Sequence, residues 1–265
     1  MAIDLNNPVF GIDLSHHNVV DFEELSTVKN LSWCYCKASE GMTYQDPKFE
    51  IYVKSLMEIG IPVGAYHFAR PDNNSAIQDA SNFLKTLQKV GGQEALGLRP
   101  CLDMEVGAKA AKKGMTAQQG MDWIQGWIDY VYQETGQETT YYGGPNAWFS
   151  LKMPKTWHPE RAIFWRAKYP NNKTQYLDMS TQAIQLYKAG KYEIDYFPNW
   201  PTRLWQYSGY GSVTGVKNRC DLNLTDTEGF AAISTDSSMA IAGGAGVAIA
   251  VVAGAAIYLS TRGKQ

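Results

Sequence analysis

The chain has little of what would tie it to several common functions. Of its 265 residues only four are cysteines, Cys34, Cys36, Cys101 and Cys220, and none forms a C-x-x-C pair. All four fall in apolar, strand-like runs whose geometry would scatter the thiols, so neither a metal site nor a disulfide framework is expected. They read as small buried hydrophobes. Positive charge is not in excess: 24 Lys and Arg stand against 26 Asp and Glu, a formal net charge of −2. That leaves no polyanion-binding signature, and nucleic acid is not an expected partner. The first seven residues lack both a basic start and an apolar stretch, so no secretory signal is expected. No internal repeat is visible. Charge is also missing from Met239 to Leu259, a stretch that ends in Arg262 and Lys264.

What is abundant is aromatic: 8 Trp, 16 Tyr and 9 Phe. Most such rings belong to a core, but exposed ones suit a carbohydrate, whose C–H faces stack on them. Short apolar runs alternate with amphipathic stretches from Pro8 to Ile233, the pattern of an α/β fold with a mostly parallel sheet. Strands are predicted at Val9–Ser15, Ser32–Ala38, Pro62–Phe68, Arg99–Glu105, Thr139–Gly143, Ala162–Ala167, Arg203–Tyr207 and Arg219–Leu224. Helices are predicted at Pro47–Ile59, Ser75–Val90 and Thr116–Thr135. The last opens with Thr116 and Gln119 in capping-box spacing and carries the stripe Met121, Ile124, Ile128 and Val131. Eight strands in one domain suggest a closed barrel, irregular because little helix separates the last strands. An excursion over Pro170–Trp200 is expected to hold one short helix near Thr181–Ala189.

In such barrels catalytic groups sit at the carboxyl ends of strands. Those ends deliver Asp13, Glu40, Tyr66 and His67, the pair Asp103 and Glu105, Tyr142, Trp165 and Tyr169, Trp205 and Gln206, and Asp221. Asp103 and Glu105 are two residues apart, so they share a strand face with Cα atoms about 6.6 Å apart. Two carboxyl groups at that range are the working pair of glycoside hydrolysis, and the spacing lies between the retaining and inverting ranges without choosing one. His67 is expected to pack near the groove floor rather than act as a base. Lys37 and Glu40 are expected to form a structural ion pair. His16 and His17 fall on the loop after the first strand, equally readable as substrate contacts or solvated residues.

The ordered motifs Gly11-Ile12-Asp13-Leu14-Ser15, Lys37-Ala38-Ser39-Glu40-Gly41, Gly64-Ala65-Tyr66-His67-Phe68, Leu102-Asp103-Met104-Glu105, Trp205-Gln206-Tyr207-Ser208 and Cys220-Asp221-Leu222-Asn223 resemble those of glycoside hydrolase family 25, the lysozymes also called Chalaropsis-type muramidases. The resemblance implies a flattened, irregular β/α barrel that cleaves the β-1,4 bond between N-acetylmuramic acid and N-acetylglucosamine in peptidoglycan, with no cofactor and no metal. It implies Glu105 as general acid, Asp103 as the acid assisting beside it, and Asp13 and Asp221 as acids completing the site. Tyr66 and Trp205 match groove residues. Tyr142, Trp165, Tyr169 and Gln206 are further expected substrate contacts. By analogy with other D-x-E enzymes, the substrate's own N-acetyl group is the expected nucleophile, steadied by Asp103.

The domain boundaries expected are 1–233 for the barrel, 234–238 for a linker, 239–259 for a transmembrane helix and 260–265 for a basic tail. About 21 uncharged residues, roughly 31 Å as a helix, suffice to cross a bilayer core. Ala242, Gly246, Ala250 and Gly254 recur every four residues, a face suited to helix self-association in lipid. A wall-degrading domain with such an anchor and no signal suggests a phage protein held in a virion or host membrane. Two alternatives remain open here: a catalytically inactive, membrane-held glycan-binding or structural virion protein, and a chitin-cleaving enzyme of another D-x-E barrel family.

Overall fold

A computed structural model describes residues 3–170, 177 and 181–235. Its frame is one sheet of nine strands: β1 (Val9–Leu14), β2 (Leu31–Glu40), β3 (Tyr44–Gln45), β4 (Val63–Phe68), β5 (Cys101–Asp103), β6 (Thr139–Gly143), β7 (Ala162–Ala167), β8 (Thr202–Gly211) and β9 (Cys220–Thr225). The order is β1-β9-β8-β7-β6-β5-β4-β2-β3, and a further β1–β2 pairing closes it into a barrel. Pairing is parallel from β1 through β2, β4, β5, β6 and β7 to β8. The exception is β9, antiparallel to both neighbours. All eight predicted strands are present. The two-residue β3, antiparallel at the end of β2, is too short to carry a periodic signal.

Eight helices accompany these strands among the described residues: α1 (Phe22–Leu25), α2 (Phe49–Glu58), α3 (Ala76–Leu87), α4 (Gly107–Lys112), α5 (Ala117–Thr135), α6 (Pro145–Leu151), α7 (Gln182–Lys188) and α8 (Thr227–Ile233). The four expected from sequence are α2, α3, α5 and α7. Both α3 and α5 open with complete capping boxes, Ser75 with Gln78 and Thr116 with Gln119, which satisfy the free N–H groups of the first turn. The remaining helices have four to seven residues, too short for a 3.6-residue period to stand out. Of the Pro170–Trp200 excursion, 171–176 and 178–180 lie outside the described residues.

Strand alternation divides the apolar residues into two layers. One faces the helices, as with Leu102, Met104, Trp127 and Ile128. The other fills the barrel, with Trp33, Tyr35, Trp165 and Leu204. The interior rings of β2 fit only because their neighbours have no side chain. A Cβ on Gly11 would stand 2.1 Å from the Trp33 ring, and one on Gly64 would stand 2.3 Å from the Tyr35 ring. The lower end is plugged by α8, whose Ile233 joins the interior cluster. The chain then runs along that end: Arg99 N–H donates to Ile233 O at 2.7 Å, Thr235 N–H to Gly97 O at 3.0 Å, and Thr235 Oγ1 to Leu96 O at 2.9 Å.

Among the described residues no helix is long and apolar enough to cross a membrane. The segment 239–259 lies outside them.

The glycine–aromatic fit sets one expectation. Gly64→Ala forces the Tyr35 ring or the β4 backbone to move, and overpacking of this kind costs about 1–3 kcal/mol. Thermal denaturation is expected to show a lower Tm for Gly64→Ala than for the control Gly126→Ala, where an added Cβ would meet its nearest neighbour at an ordinary 3.6 Å.

Candidate active site

Side chains pointing inward near the upper end of the barrel enclose a cavity of about 380 Å³. Asp13 enters from β1, Lys37 from β2, and Tyr66 and Phe68 from β4. Cys101 and Asp103 come from β5, with Glu105 just beyond it. Tyr142, Trp165 and Gln206 enter from β6, β7 and β8, Tyr169 from the segment after β7, and Asp221 from β9. A second depression of about 540 Å³ includes Tyr44, Arg70 and Asn74 and shares His17 and Lys37 with the first. The two adjoin through these shared residues.

Asp221 reaches the site by a route that a rule about strand carboxyl ends does not describe. It is the second residue of β9, not its end. Because β9 runs antiparallel to β1, its start lies at the cavity end, and its register places Asp221 directly opposite Asp13. Cross-strand partners have Cβ atoms about 4.5–5.5 Å apart, so the two carboxyl groups meet. The Asp221 side chain hydrogen-bonds to Asp13.

Burial decides the electrostatics. Asp13 and Asp103 are buried and Asp221 is half-buried, whereas the Glu105 residue reaches solvent at the mouth; where protein displaces water, the charged forms are disfavoured. Burial pushes Asp103 well above the usual carboxylate range, and the Glu105 charge adds to the effect. Burial likewise raises Glu105, reinforced by Asp13. Asp221 is pushed up to about 9, first by burial and then by Asp13. Asp13 is raised by burial too, but hydrogen bonds from Asn223 and Gln206 act against that rise. Lys37 favours the ionised forms of Asp103 and Glu105, and it is the one Lys or Arg among the described cavity residues. Its ammonium is fixed by Glu40 at 2.8 Å, which Arg70 also holds at 3.0 Å. The predicted Lys37–Glu40 ion pair is therefore present, and one end of it faces the acids.

Of the predicted site residues, Asp13, Tyr66, Asp103, Glu105, Tyr142, Trp165, Tyr169, Gln206 and Asp221 share the cavity. Trp205 does not, which corrects its expected place in the groove. Consecutive strand residues face opposite sides, so with Gln206 inside, Trp205 must point outward. It is 0% exposed, packed against Tyr187, Tyr192 and Tyr207, with its indole N–H donating to Lys168 O at 2.7 Å. His67 is buried outside the barrel in the same way, 2.8 Å from Ser39 Oγ and stacked on Trp127. Sequence reasoning passed over Ser15, Phe68 and Cys101 as cavity residues. The signal was available in strand parity: Cys101 shares a face with Asp103, and Lys37 shares one with Trp33 and Tyr35.

A protonated buried acid makes folding depend on pH in a definite direction. Asp221 titrates near 9 when folded and near its ordinary 3.8 when unfolded, so between those values the folded state binds more protons and stability falls as pH rises. Asp221→Asn keeps a donor toward Asp13 and removes this titration. Its Tm is expected to fall less than that of the wild type between pH 5 and pH 8, the wild type losing up to about 1.4 kcal/mol more per pH unit across that range.

The chain matches the glycosyl hydrolases family 25 profile over residues 12–216. It is 27% identical to lysozyme M1 of Streptomyces globisporus over 220 residues, covering 81% of this chain and 67% of that protein. Its fold matches the spore cortex lytic enzyme SleM of Clostridium perfringens with a TM-score of 0.65 at 26% identity, over 84% of this chain and 68% of that one. It also matches a family 25 lysozyme of Aspergillus fumigatus with a TM-score of 0.64 at 23% identity, over 86% and 99% of the two chains. With an acid-lined cavity at the mouth of the barrel and a profile match over most of its length, the chain belongs to glycosyl hydrolases family 25 and is a glycoside hydrolase.

Proposed function

We propose that the chain is a lysozyme that hydrolyses the β-1,4 bond between N-acetylmuramic acid and N-acetylglucosamine in peptidoglycan. The observation that carries this reading is the pair Asp103 and Glu105, delivered by β5 and the residues just after it into one cavity, with both carboxyl groups raised in pKa. A general acid must hold its proton to give it to the leaving oxygen, and the surrounding protein and Asp13 shift Glu105 in that direction. Asp103 Oδ1 is buried without a hydrogen-bond partner among the described residues. An acceptor left unsatisfied in this way has a ready use: it takes the N–H of the substrate's N-acetyl group. The acetamido oxygen, turned toward the anomeric carbon, then attacks as the glycosidic bond breaks. Water opens the resulting ring, giving its proton to the Glu105 carboxylate. The negative field of Asp13 stabilises the cationic transition state. The two adjoining depressions leave space for more than one sugar, and their tyrosines suit the faces of neutral sugars.

The setting we infer is a phage protein that degrades the bacterial wall during entry or lysis, held in a virion or host membrane through residues 239–259. The uncharged length, the following Arg262 and Lys264, and the small-residue face support this reading.

Two measurements test the reading. Zymography on peptidoglycan is expected to show clearing by the wild type, and loss of the general acid in Glu105→Gln is expected to lower the rate by about 10²–10⁴. Mass analysis of the released fragments is expected to find N-acetylmuramic acid at the new reducing ends. Wall binding without clearing would instead mark an inactive glycan-binding protein, and cleavage confined to chitin oligomers would mark another D-x-E enzyme. Separately, the full chain is expected to stay with the membrane pellet after alkaline carbonate washing, whereas a chain ending at residue 238 is released. Release of both ends the anchor proposal.

A further inference from the structure

The mouth of the barrel carries an arginine that no acid of the described residues neutralises. Arg70, Arg99, Arg161 and Arg203 pair with carboxylates, and Arg166 donates to Ile194 O at 2.6 Å. Arg219 alone among the described arginines has no acceptor on its guanidinium. What it touches is the ring of Tyr210, whose centroid lies 4.9 Å from Cζ. Both residues are exposed.

The backbone there is firmly placed. Asp221 stands opposite Asp13 in the β1–β9 register, so two residues earlier Arg219 comes level with Ser15, which lines the catalytic cavity. The buried Asn18 amide ties those two together: Oδ1 accepts from Ser15 N–H at 2.9 Å, and Nδ2 donates to Arg219 O at 3.1 Å. Beside it Asn218 Nδ2 donates to His17 O at 2.5 Å, and His17 lines both depressions. Strand residues two apart share a face, so Arg219 lies on the side of Asp221 and Asn223, about 6.6 Å farther out. Tyr210 reaches the same rim on β8. A Cβ on Gly209, the residue before it, would stand 3.2 Å from Asp221 Oδ1 and 3.6 Å from the Tyr169 ring. Burial raises the Asp221 pKa, and the Arg219 charge works against that rise.

A guanidinium stacked on a ring has its plane fixed and its edge free. That edge carries paired N–H donors whose spacing matches a carboxylate. Inside the cavity a substrate anion meets Asp13, Asp103, Glu105 and Asp221, and the Lys37 ammonium there is already held by Glu40. A negative group on the substrate is therefore turned away from the acids and drawn to the rim, where Arg219 is open. The substrate of the proposed reaction has such groups. The lactyl arm of muramic acid ends in a carboxyl, either free or linked to a stem peptide with carboxylates of its own. N-acetylglucosamine has none. We propose that Arg219, stacked on Tyr210, is a carboxylate-binding site that takes the acidic side arm of N-acetylmuramic acid and so helps to tell peptidoglycan from an uncharged N-acetylglucosamine polymer. It touches the side arm and not the reacting atoms, so it sets specificity rather than the chemical step.

The proposal rests on the lysozyme reading, and the experiment keeps the two apart. Soluble glycan freed of teichoic acid is used in two forms: with its stem peptides, and after an amidase has removed them to leave the lactyl carboxylate. Each form is assayed as it is and with its carboxylates converted to methylamides. The wild type is expected to prefer the carboxylate member of a pair by about tenfold in kcat/KM, chiefly through KM, as one charge-assisted contact supplies. A preference in the stripped pair names the lactyl carboxylate as ligand, and one confined to the peptide-bearing pair names the stem. In Arg219→Gln the ratio is expected to fall to near one. In Arg219→Lys, which keeps the charge but not the fork, it is expected to be intermediate. Added salt is expected to shrink the wild-type ratio, because exposed charges are screened. A wild-type ratio near one in both pairs overturns the proposal, and so does a ratio that survives Arg219→Gln.

Binding gives a readout that needs no turnover. Calorimetric titration of Glu105→Gln with the same fragments is expected to show tighter binding of the carboxylate member, and no such difference in the double variant Glu105→Gln, Arg219→Gln. If the wild type cleaves neither form, the lysozyme reading fails while these titrations still decide the site. Equal dissociation constants for the two members of both pairs overturn it.

Discussion

Four carboxyl groups line one cavity, two of them buried, and they cannot all be charged. Repulsion and lost hydration together force some of them to keep protons. The arrangement of the upper barrel follows from settling which ones. Asp221, opposite Asp13 across the β1–β9 pairing, is the protonated partner of that pair. Asp13 has amide donors from β8 and β9. Lys37 supplies one compensating charge and is itself held by Glu40 and Arg70. A barrel brings this about because neighbouring strands present side chains at one level, so groups distant in sequence become cross-strand neighbours.

The parts of the fold that repeat a pattern were legible in the sequence. Eight short apolar runs announced eight strands, and capping residues announced α5. Asp103 and Glu105 could be paired because both the separation and the facing of strand residues follow from a period of two. Trp205 and Gln206 show where that reasoning was applied too loosely. They are adjacent, so alternation allowed only one of them inside, yet both were expected in the groove: the tryptophan packs outside against other rings while the glutamine enters the barrel. Asp221 was found by its motif, but its geometry was not legible, because nothing in a six-residue strand records whether it runs with or against its neighbours. The hydrogen bond from the Trp165 indole N–H to Asn223 Oδ1, which turns the Asn223 amide nitrogen to Asp13, was illegible for a similar reason. It depends on which side-chain atom faces which, and that is fixed by contacts across three strands.

The interior also shows how space for polar groups is obtained in a barrel this small. Trp33, Tyr35 and Trp165 fill the level below the acids, and Gly11 and Gly64 leave room for the rings. A rigid aromatic floor keeps water from approaching the carboxyl groups from beneath. It also fixes the Trp165 indole, and through it the Asn223 amide. Packing and polar contacts are therefore not separate matters here, since the ring that closes the core is also the donor that orients the polar network above it.

The end of the chain's path through the domain has a consequence for orientation. Thr235 is fastened to Gly97 and Leu96, just ahead of β5, whereas Asp103 and Glu105 stand at and beyond the far end of that strand. The polypeptide therefore leaves the barrel from its closed side. A load applied at Thr235 would pull on the barrel from behind, at the end opposite Asp103 and Glu105.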